Sequence, residues 1–261
     1  MKTLKYCLVL LVLAMTLYGC AEKQQIKSKE IKFCDLLPKK TGFAGEKGAV
    51  SFAISIFEMD MDKYQQILGE LRTANDLKIK YEDSENFTAN GLICGGGDIN
   101  TWSRIVKNLA DANAAIVKQT TFFMDLNNCE DIEVAQFSES ASISYCTADK
   151  AWSVVGFPQG VIVLNICAKS LLGLRESCKL EIKPVYKVVE GRKFGWDFSF
   201  DSAAVSAAVQ QGRFIFLAPD TECVDESIHQ AGHVPGKLIF CREKGRAVAR
   251  FCLIVCGAIR Y

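Results

Sequence analysis

Apolar residues between positions 49 and 126 follow strand-like spacing in some segments and helix-like spacing in others. The run from 49 to 57 is mostly apolar, as in a buried strand. After Asp60 and Asp62, apolar residues recur every three or four positions, as in an amphipathic helix. A second helix is predicted to begin at Asp98, directly after a glycine run at 95–97 that is expected to form a turn. Strands are predicted at 49–57, 77–81, 92–94 and 115–126. This region is therefore expected to form a strand-helix-strand-helix-strand unit.

Beyond residue 127 the apolar residues gather in short β-runs separated by turn residues. These runs lie at 132–135, 141–146, 161–168, 178–189 and 213–218. Residues 219–236 are expected to form a long loop. Residues 237–241 are expected to pair with 248–256 in a closing hairpin, whose last strand is apolar on both faces and therefore central in its sheet. The predicted fold class is α+β, with the N-terminal unit followed by an antiparallel β-rich region.

One predicted strand carries four aromatic rings on a single face, because Phe194, Trp196, Phe198 and Phe200 alternate with smaller or polar residues. An apolar face of this size has to be covered. The cover is either the core of the domain itself, or a neighbouring subunit or the membrane. Under the second alternative these four residues form an interaction surface.

The first twenty residues have the pattern of a bacterial lipoprotein signal. Lys2 and Lys5 precede an apolar stretch at 6–17, which has the length of a signal-peptide core and is too short for a permanent span. The small residue Gly19 then precedes Cys20. Cleavage there would leave Cys20 carrying lipid chains such as palmitate, and more than one chain is needed for stable anchoring. The expected organisation is a lipoprotein signal peptide at 1–19, a lipidated tether at 20–48 and a folded domain at 49–261. An ordinary secretory signal or an uncleaved anchor is the alternative.

Charge and cysteine content narrow the possible functions. The chain has 31 Lys and Arg residues against 30 Asp and Glu residues, so it lacks the basic field that attracts nucleic acid, and no nucleic-acid partner is expected. Ten of its 12 cysteines follow Cys20. Export to an oxidising compartment would favour disulfides among them, but most lie in apolar strand-like runs where cysteine also serves as a small hydrophobe. Structural disulfides and free core thiols both remain open.

His229 and His233 have the i, i+4 spacing of a helical zinc site, and Cys223 lies nearby. Gln230, however, stands where a zinc protease has its glutamate base. The two histidines are therefore expected to be loop residues and only weak metal candidates. No catalytic residue and no cofactor is expected, and a metal-dependent envelope hydrolase that uses His229 and His233 is the alternative.

Five segments occur in an informative order. They lie at 50–58 (VSFAISIFE), 102–134, 160–168 (GVIVLNICA), 178–186 (CKLEIKPVY) and 235–259. Asn127 and Asn128 form an asparagine-bearing turn, and Pro235 and Gly236 precede a Leu-x-Phe segment, a charged turn and a terminal apolar strand. In this order the segments resemble the core domain of bacterial secretins, the outer-membrane ring proteins of type II and type III secretion and type IV pilus systems. The chain resembles a diverged member of that family, with the core-like domain carried on a lipoprotein.

This resemblance implies a non-enzymatic protein of the bacterial cell envelope, anchored by lipid in the outer membrane, with its domain facing the periplasm. It implies a structural or assembly role in an outer-membrane secretion or pilus-type complex. The expected partners are membrane lipid through Cys20 and either further copies of the chain, as a homo-oligomer, or a secretion-system protein. The aromatic strand and the closing hairpin would be the interaction surfaces. A lone structural lipoprotein, monomeric after extraction, is a third possibility.

Overall fold

Antiparallel strands dominate the fold. The computed structural model describes residues 26–27, 31–38, 48–171, 174, 176–190, 193–222, 233–242 and 247–260. In chain order the strands are β1 (Ile26–Lys27), β2 (Ala49–Asp60), β3 (Ile79–Tyr81), β4 (Leu92–Gly97), β5 (Ala115–Asp125), β6 (Cys129–Phe137), β7 (Ala141–Cys146), β8 (Trp152–Phe157), β9 (Gly160–Ser170), β10 (Ser177–Glu190), β11 (Lys193–Ser199), β12 (Val205–Gln210), β13 (Phe214–Pro219), β14 (Cys241–Arg242) and β15 (Val248–Arg260). Within these residues, every pair of neighbouring named strands is antiparallel.

Two large sheets face each other, and a two-stranded hairpin stands apart from them. The inner sheet has the strand order β1-β5-β2-β15-β13-β4, with β14 also paired to β15. The outer sheet has the order β3-β12-β10-β9-β6, with β11 also paired to β10. Strands β7 and β8 form the separate hairpin. In the inner sheet, β15 is central and buried over most of its length, as its apolar residues on both faces predict.

Over the same residues, short helices accompany the sheets: α1 (Phe33–Leu36), α2 (Met61–Thr73), α3 (Ser84–Ala89), α4 (Ile99–Asp111) and α5 (Pro235–Phe240). The longest two, α2 and α4, bury one apolar stripe each against the inner sheet, including Tyr64 and Trp102. Helix α4 begins where the sequence predicts, because the Asp98 side chain accepts hydrogen bonds from the backbone N–H groups of Asn100 and Thr101.

The main core lies between the two sheets. Alternate residues of β2 and β15 point from the inner sheet into it, and alternate residues of β9, β10 and β12 point into it from the outer sheet. A second core lies between the inner sheet and the helices. The inner sheet is therefore buried on both faces, whereas the outer sheet exposes one face to solvent. This layering leaves the outer sheet as the main exposed β-surface.

The predicted α+β fold class, with a strand-helix-strand-helix-strand unit at the N-terminal end, is wrong. The described fold is built mostly of antiparallel sheets with short helices. Strands β2 and β5 lie in the inner sheet beside the C-terminal β15 and β13, whereas β3 joins the outer sheet. Apolar spacing along the chain predicts a local element but not the strand it pairs with, and β2 pairs with β15 across nearly the whole chain.

Two local predictions in and next to the inner sheet are also wrong. The first strand of the closing hairpin is mostly the helix α5, because Pro235 occupies its first turn, and only β14 pairs with β15. The glycine run at 95–97 is not a turn but the end of β4. Its lack of side chains makes room for a neighbour, because the ring of Phe216 lies where a Cβ on Gly95 would be.

Candidate functional site

Strand β6 forms one edge of the outer sheet, and this edge is acidic. In the part of the chain that the structure describes, β6 pairs with β9 and with no other strand. Its side chains Glu130, Asp131 and Glu133 are all exposed. An edge strand presents backbone N–H and C=O groups on which another strand can pair. The acidic side chains determine which strands can approach it.

The opposite edge of the same sheet is basic. Strand β3 forms this edge by pairing with β12. Lys80 within β3 and Lys78 just before it are both exposed. Lys78 and Lys80 thus give β3 two positive charges, between Asp76 and Glu82 in the chain, whereas β6 is negative. The two strands form opposite edges of the outer sheet.

The acidic edge is held firmly to the rest of the sheet. The disulfide between Cys129 and Cys167 joins the first residue of β6 to the residue directly opposite in β9. Lys187 of β10 places its Nζ atom 2.7 Å from Asp131 Oδ2 and 3.2 Å from Asp197 Oδ2, which links β6, β10 and β11. The hydrogen bond to Asp131 raises the pKa of Lys187. The edge is therefore a preformed surface.

An asparagine turn brings the edges of the two sheets together. Strand β5, near the margin of the inner sheet, runs through Leu126, Asn127 and Asn128 into β6. Asn127 adopts a left-handed backbone with φ of 77°, which asparagine tolerates better than most residues. Its backbone N–H donates to the carbonyl of Ala168 at 2.6 Å. The margin of the inner sheet and the acidic edge of the outer sheet consequently lie on the same side of the molecule.

The aromatic strand is largely covered by the molecule's own hairpin. Phe200 follows the end of β11 and is fully buried, while Phe198 is half-buried. The rings of Phe157 and Tyr145 from the hairpin lie 5.1 Å and 5.3 Å from the ring of Phe198. Trp196 remains 43% exposed, and its ring lies 5.9 Å from that of Phe157. The side chain of Phe194 lies outside the described residues.

The three aromatic candidates whose side chains are described lie in three different environments. The ring of Phe200 belongs to the core, the ring of Phe198 bridges the core and the hairpin, and the ring of Trp196 faces solvent. The role of these rings in interaction stays a prediction. Trp196 is the member that can contact a partner without refolding.

A buried asparagine anchors the hairpin to the rest of the domain. Asn90, directly after α3, donates from its side chain to the carbonyl of Cys146 and to the Ser202 hydroxyl, each at 3.1 Å. Its side-chain oxygen accepts from the backbone N–H of Cys146 at 2.8 Å. Asn86 in α3 adds a hydrogen bond to the carbonyl of Thr147. These bonds fix the hairpin that covers the aromatic rings.

A shallow groove of about 620 Å³ runs over the exposed face of the outer sheet. Its lining is mainly polar and includes Lys179, Glu181, Lys183 and Asp201. These charges are paired with one another, Lys179 with Glu181 at 2.5 Å and Lys183 with Asp201 at 3.1 Å. The groove therefore has the character of a solvated ion-pair surface.

The histidine pair is only partly described. His229 lies outside the described residues. His233 is exposed, and its backbone forms a parallel bridge with Ile143 of the hairpin. Among the described residues there is no group of three or more His, Cys, Asp or Glu side chains arranged to hold a metal ion. The metal alternative stays a prediction.

The lipidation residue Cys20, the signal peptide and most of the tether also lie outside the described residues. Where the structure describes helices, none is long and apolar enough to cross a membrane.

The charged sheet edges are the functional candidates that sequence reasoning missed. The signal was present as the alternation of acidic and apolar residues at 131–134, directly after Glu130, and as Lys78 and Lys80 on either side of Ile79. Edge position itself is set by tertiary pairing, so the charges acquire their meaning only in the folded sheet.

No protein-family model and no curated protein matches the chain. Among solved structures it is similar to the pilotin–secretin complex AspS–GspD of ETEC, with 13% identity and a TM-score of 0.26, over 83% of this chain and 50% of that one. It is also similar to the InvG secretin-domain β-barrel of the Salmonella SPI-1 injectisome, with 9% identity and a TM-score of 0.25, over 83% and 64%. A second InvG secretin structure has 10% identity and a TM-score of 0.26, over 83% and 66%. The chain spans between half and two thirds of the length of these secretin chains.

Proposed function

We propose that the chain is a lipid-anchored structural protein of the bacterial envelope that assembles side by side with its own copies. In this proposal it is a non-enzymatic component of an outer-membrane secretion or pilus-type complex. Its domain faces the periplasm, and Cys20 holds it to the outer membrane. The sequence resemblance to the secretin core and the lipoprotein signal support this placement.

The observation that carries the proposal is the opposite charge of the two edges of the outer sheet. Strand β6 presents Glu130, Asp131 and Glu133, whereas β3 and the residue before it present Lys78 and Lys80. When β6 of one copy lies beside β3 of the next, backbone groups can pair and opposite charges face each other. This contact joins two different surfaces, so it is head-to-tail, and repeated contacts of that kind close into a ring or extend as a filament.

Charge reversal tests the contact in the full chain extracted in detergent. Wild-type protein is expected to sediment as an oligomer in analytical ultracentrifugation. The double variant Glu130→Lys, Glu133→Lys places positive charge at both edges and should weaken self-association by about tenfold or more. Adding Lys78→Glu and Lys80→Glu to that variant reverses both edges and should restore the oligomer.

Glu139→Lys is the matched control, because Glu139 is exposed and lies just beyond β6. It reverses one acidic charge, against two in the double variant, and should leave the oligomer intact. A wild-type chain that remains a monomer at every concentration measured would refute the proposal. So would an oligomer that is indifferent to the Glu130 and Glu133 reversals.

A further inference from the structure

Two fully buried cysteines face each other across the main core. Cys178 is the second residue of β10 in the outer sheet, and Cys256 lies in β15 of the inner sheet. Both side chains point into the core between the sheets, and both are 0% exposed. The two thiols are near enough to shift each other's pKa. The cysteine pair therefore lies where the two sheets meet.

The chain brings these cysteines together by crossing from one sheet to the other beside them. Strand β12 pairs with β10 so that Val209 lies opposite Cys178, and β13 begins directly after the turn at Gln211 and Gly212. The backbone N–H of Gln211 donates to Glu176 in front of β10, while the N–H of Gly212 donates to the carbonyl of Cys256 at 2.8 Å. Adjacent amides of one short turn thus hold the two sheets at the position of the cysteine pair.

The two sheets come closer together at this end than facing sheets usually do. Facing sheets lie about 10 Å apart on average, which exceeds the usual Cα separation of about 4.4–6.8 Å in a disulfide. At this end, however, the Cα atoms of β12 and β15 approach within 8 Å of each other. Because only a few residues connect β12 to β13, the two sheets have to lie close together at this end.

We propose that Cys178 and Cys256 form a disulfide that staples the outer sheet to the inner sheet when the chain folds in the presence of a disulfide oxidant. The bond would be independent of the Cys129–Cys167 bond, which lies within the outer sheet. Among the described residues, the proposed bond would join the two sheets covalently, whereas the Cys129–Cys167 bond does not.

Oxidation can proceed by thiol–disulfide exchange with a low-molecular-weight disulfide such as oxidised glutathione. The thiolate of one cysteine attacks one glutathione sulfur, forming a mixed disulfide and releasing one glutathione thiolate. The other cysteine then loses its proton, and its thiolate attacks the sulfur of the first cysteine and releases the second glutathione. Two protein thiols become one disulfide, and two electrons and two protons leave with two reduced glutathione molecules.

In the folded chain the two thiols perturb each other. The Cys256 thiol lowers the pKa of Cys178 by stabilising its thiolate. The same interaction, together with burial, raises the pKa of Cys256 well above its usual range. Because neither thiol reaches solvent in the folded chain, the exchange has to occur during folding, before these shifts are established.

The experiment refolds the full chain from denaturant in detergent, with either oxidised or reduced glutathione in excess. Free thiols are then alkylated in denaturant, and peptides are mapped by mass spectrometry without reduction. A peptide linked through Cys178 and Cys256 is expected only with oxidised glutathione. The closed loop spans roughly 80 residues, so oxidation should raise the midpoint of thermal unfolding by about 10 °C more in the wild type than in Cys256→Ala.

Cys252→Ala is the matched control, because Cys252 lies on the same strand, is also fully buried and faces the same core. This variant should retain the linked peptide, whereas Cys256→Ala should lose the peptide and keep only the thermal shift that the Cys129–Cys167 bond contributes. The mapping of wild-type protein decides the question even if Cys256→Ala fails to fold. Full alkylation of Cys178 and Cys256 after oxidative refolding, or a bond from either one to another cysteine, would overturn the proposal.

Discussion

Gly236 shows how one residue can fix the position of an element. A Cβ on Gly236 would overlap the backbone carbonyl of Gly91, and its own N–H donates to the carbonyl of Asn90 at 2.9 Å. The first turn of α5 therefore lies directly on the backbone that precedes β4. The Pro235–Gly236 pair, which resembles the secretin pattern, has a packing role that the local sequence alone does not indicate.

We expect Gly236→Ala to lower the free energy of unfolding by about 1–3 kcal/mol, because the added methyl group has no space and the backbone has to shift. Urea unfolding followed by circular dichroism measures the effect. Gly69→Ala is the control. Gly69 lies in α2, and a methyl group added there would have no neighbouring atom within 4 Å, so its substitution should be neutral or stabilising by up to about 1 kcal/mol. Equal losses in both variants would contradict the packing role of Gly236.

At the scale of elements, the hairpin β7–β8 decides what the aromatic strand can do. It covers Phe198 and Phe200 and leaves Trp196 at the margin. Sequence alternation predicts four rings on one face, and the rings of Trp196, Phe198 and Phe200 all lie within 6.2 Å of the ring of Phe157. Alternation could not distinguish an internal cover from a partner. That distinction depends on the hairpin, which is anchored from a distance by Asn90.

Trp196→Glu is expected to weaken assembly and to leave a folded chain, since the indole is 43% exposed. Near-ultraviolet circular dichroism and thermal unfolding report the fold, and analytical ultracentrifugation in detergent reports assembly. Phe200→Glu provides the contrast, because it places a carboxylate at a fully buried ring and should unfold the domain. A Trp196→Glu chain that unfolds would assign this ring to the core, and one that assembles normally would remove it from the interaction surface.

Element prediction succeeded where burial imposes a simple spacing and failed where tertiary contacts override it. The apolar run of β15 predicted a central strand because both of its faces are buried. The segment at 237–241 is equally apolar, yet most of it is helical, since Pro235 and the contact of Gly236 with Gly91 direct α5. The glycines of β4 predict a turn when only neighbouring residues are considered. They are small because the ring of Phe216, which is distant in sequence, fills the space beside them.

At the scale of the whole molecule, pairing between distant segments was beyond the reach of local patterns. Strand β15 lies between β2 and β13, which come from opposite ends of the domain. The sheet edges follow from this topology, and with them the opposite charges of β3 and β6. The candidate contact thus depends on the complete fold, whereas the lipidation signal depends on a few consecutive residues.

This difference predicts that anchoring and assembly can be separated. Cys20→Ser should abolish incorporation of a palmitate analogue and move the chain from the membrane fraction to the aqueous fraction, because the serine hydroxyl cannot take the thioether-linked lipid. The edge residues Lys80 and Glu133 remain unchanged, so the released chain should still self-associate. In detergent no membrane surface confines either chain, so the dissociation constant of the released chain should match that of the extracted wild type.

Membrane fractionation, labelling with the palmitate analogue and sedimentation of the released chain measure the three effects separately. Cys34→Ser is the control, because Cys34 is an exposed thiol beyond the proposed processing site and its loss should change none of them. Label retained in Cys20→Ser would show that lipid is attached elsewhere. A released chain that stays monomeric at concentrations where the wild type is oligomeric in detergent would mean that the anchor, rather than the charged edges, brings the copies together.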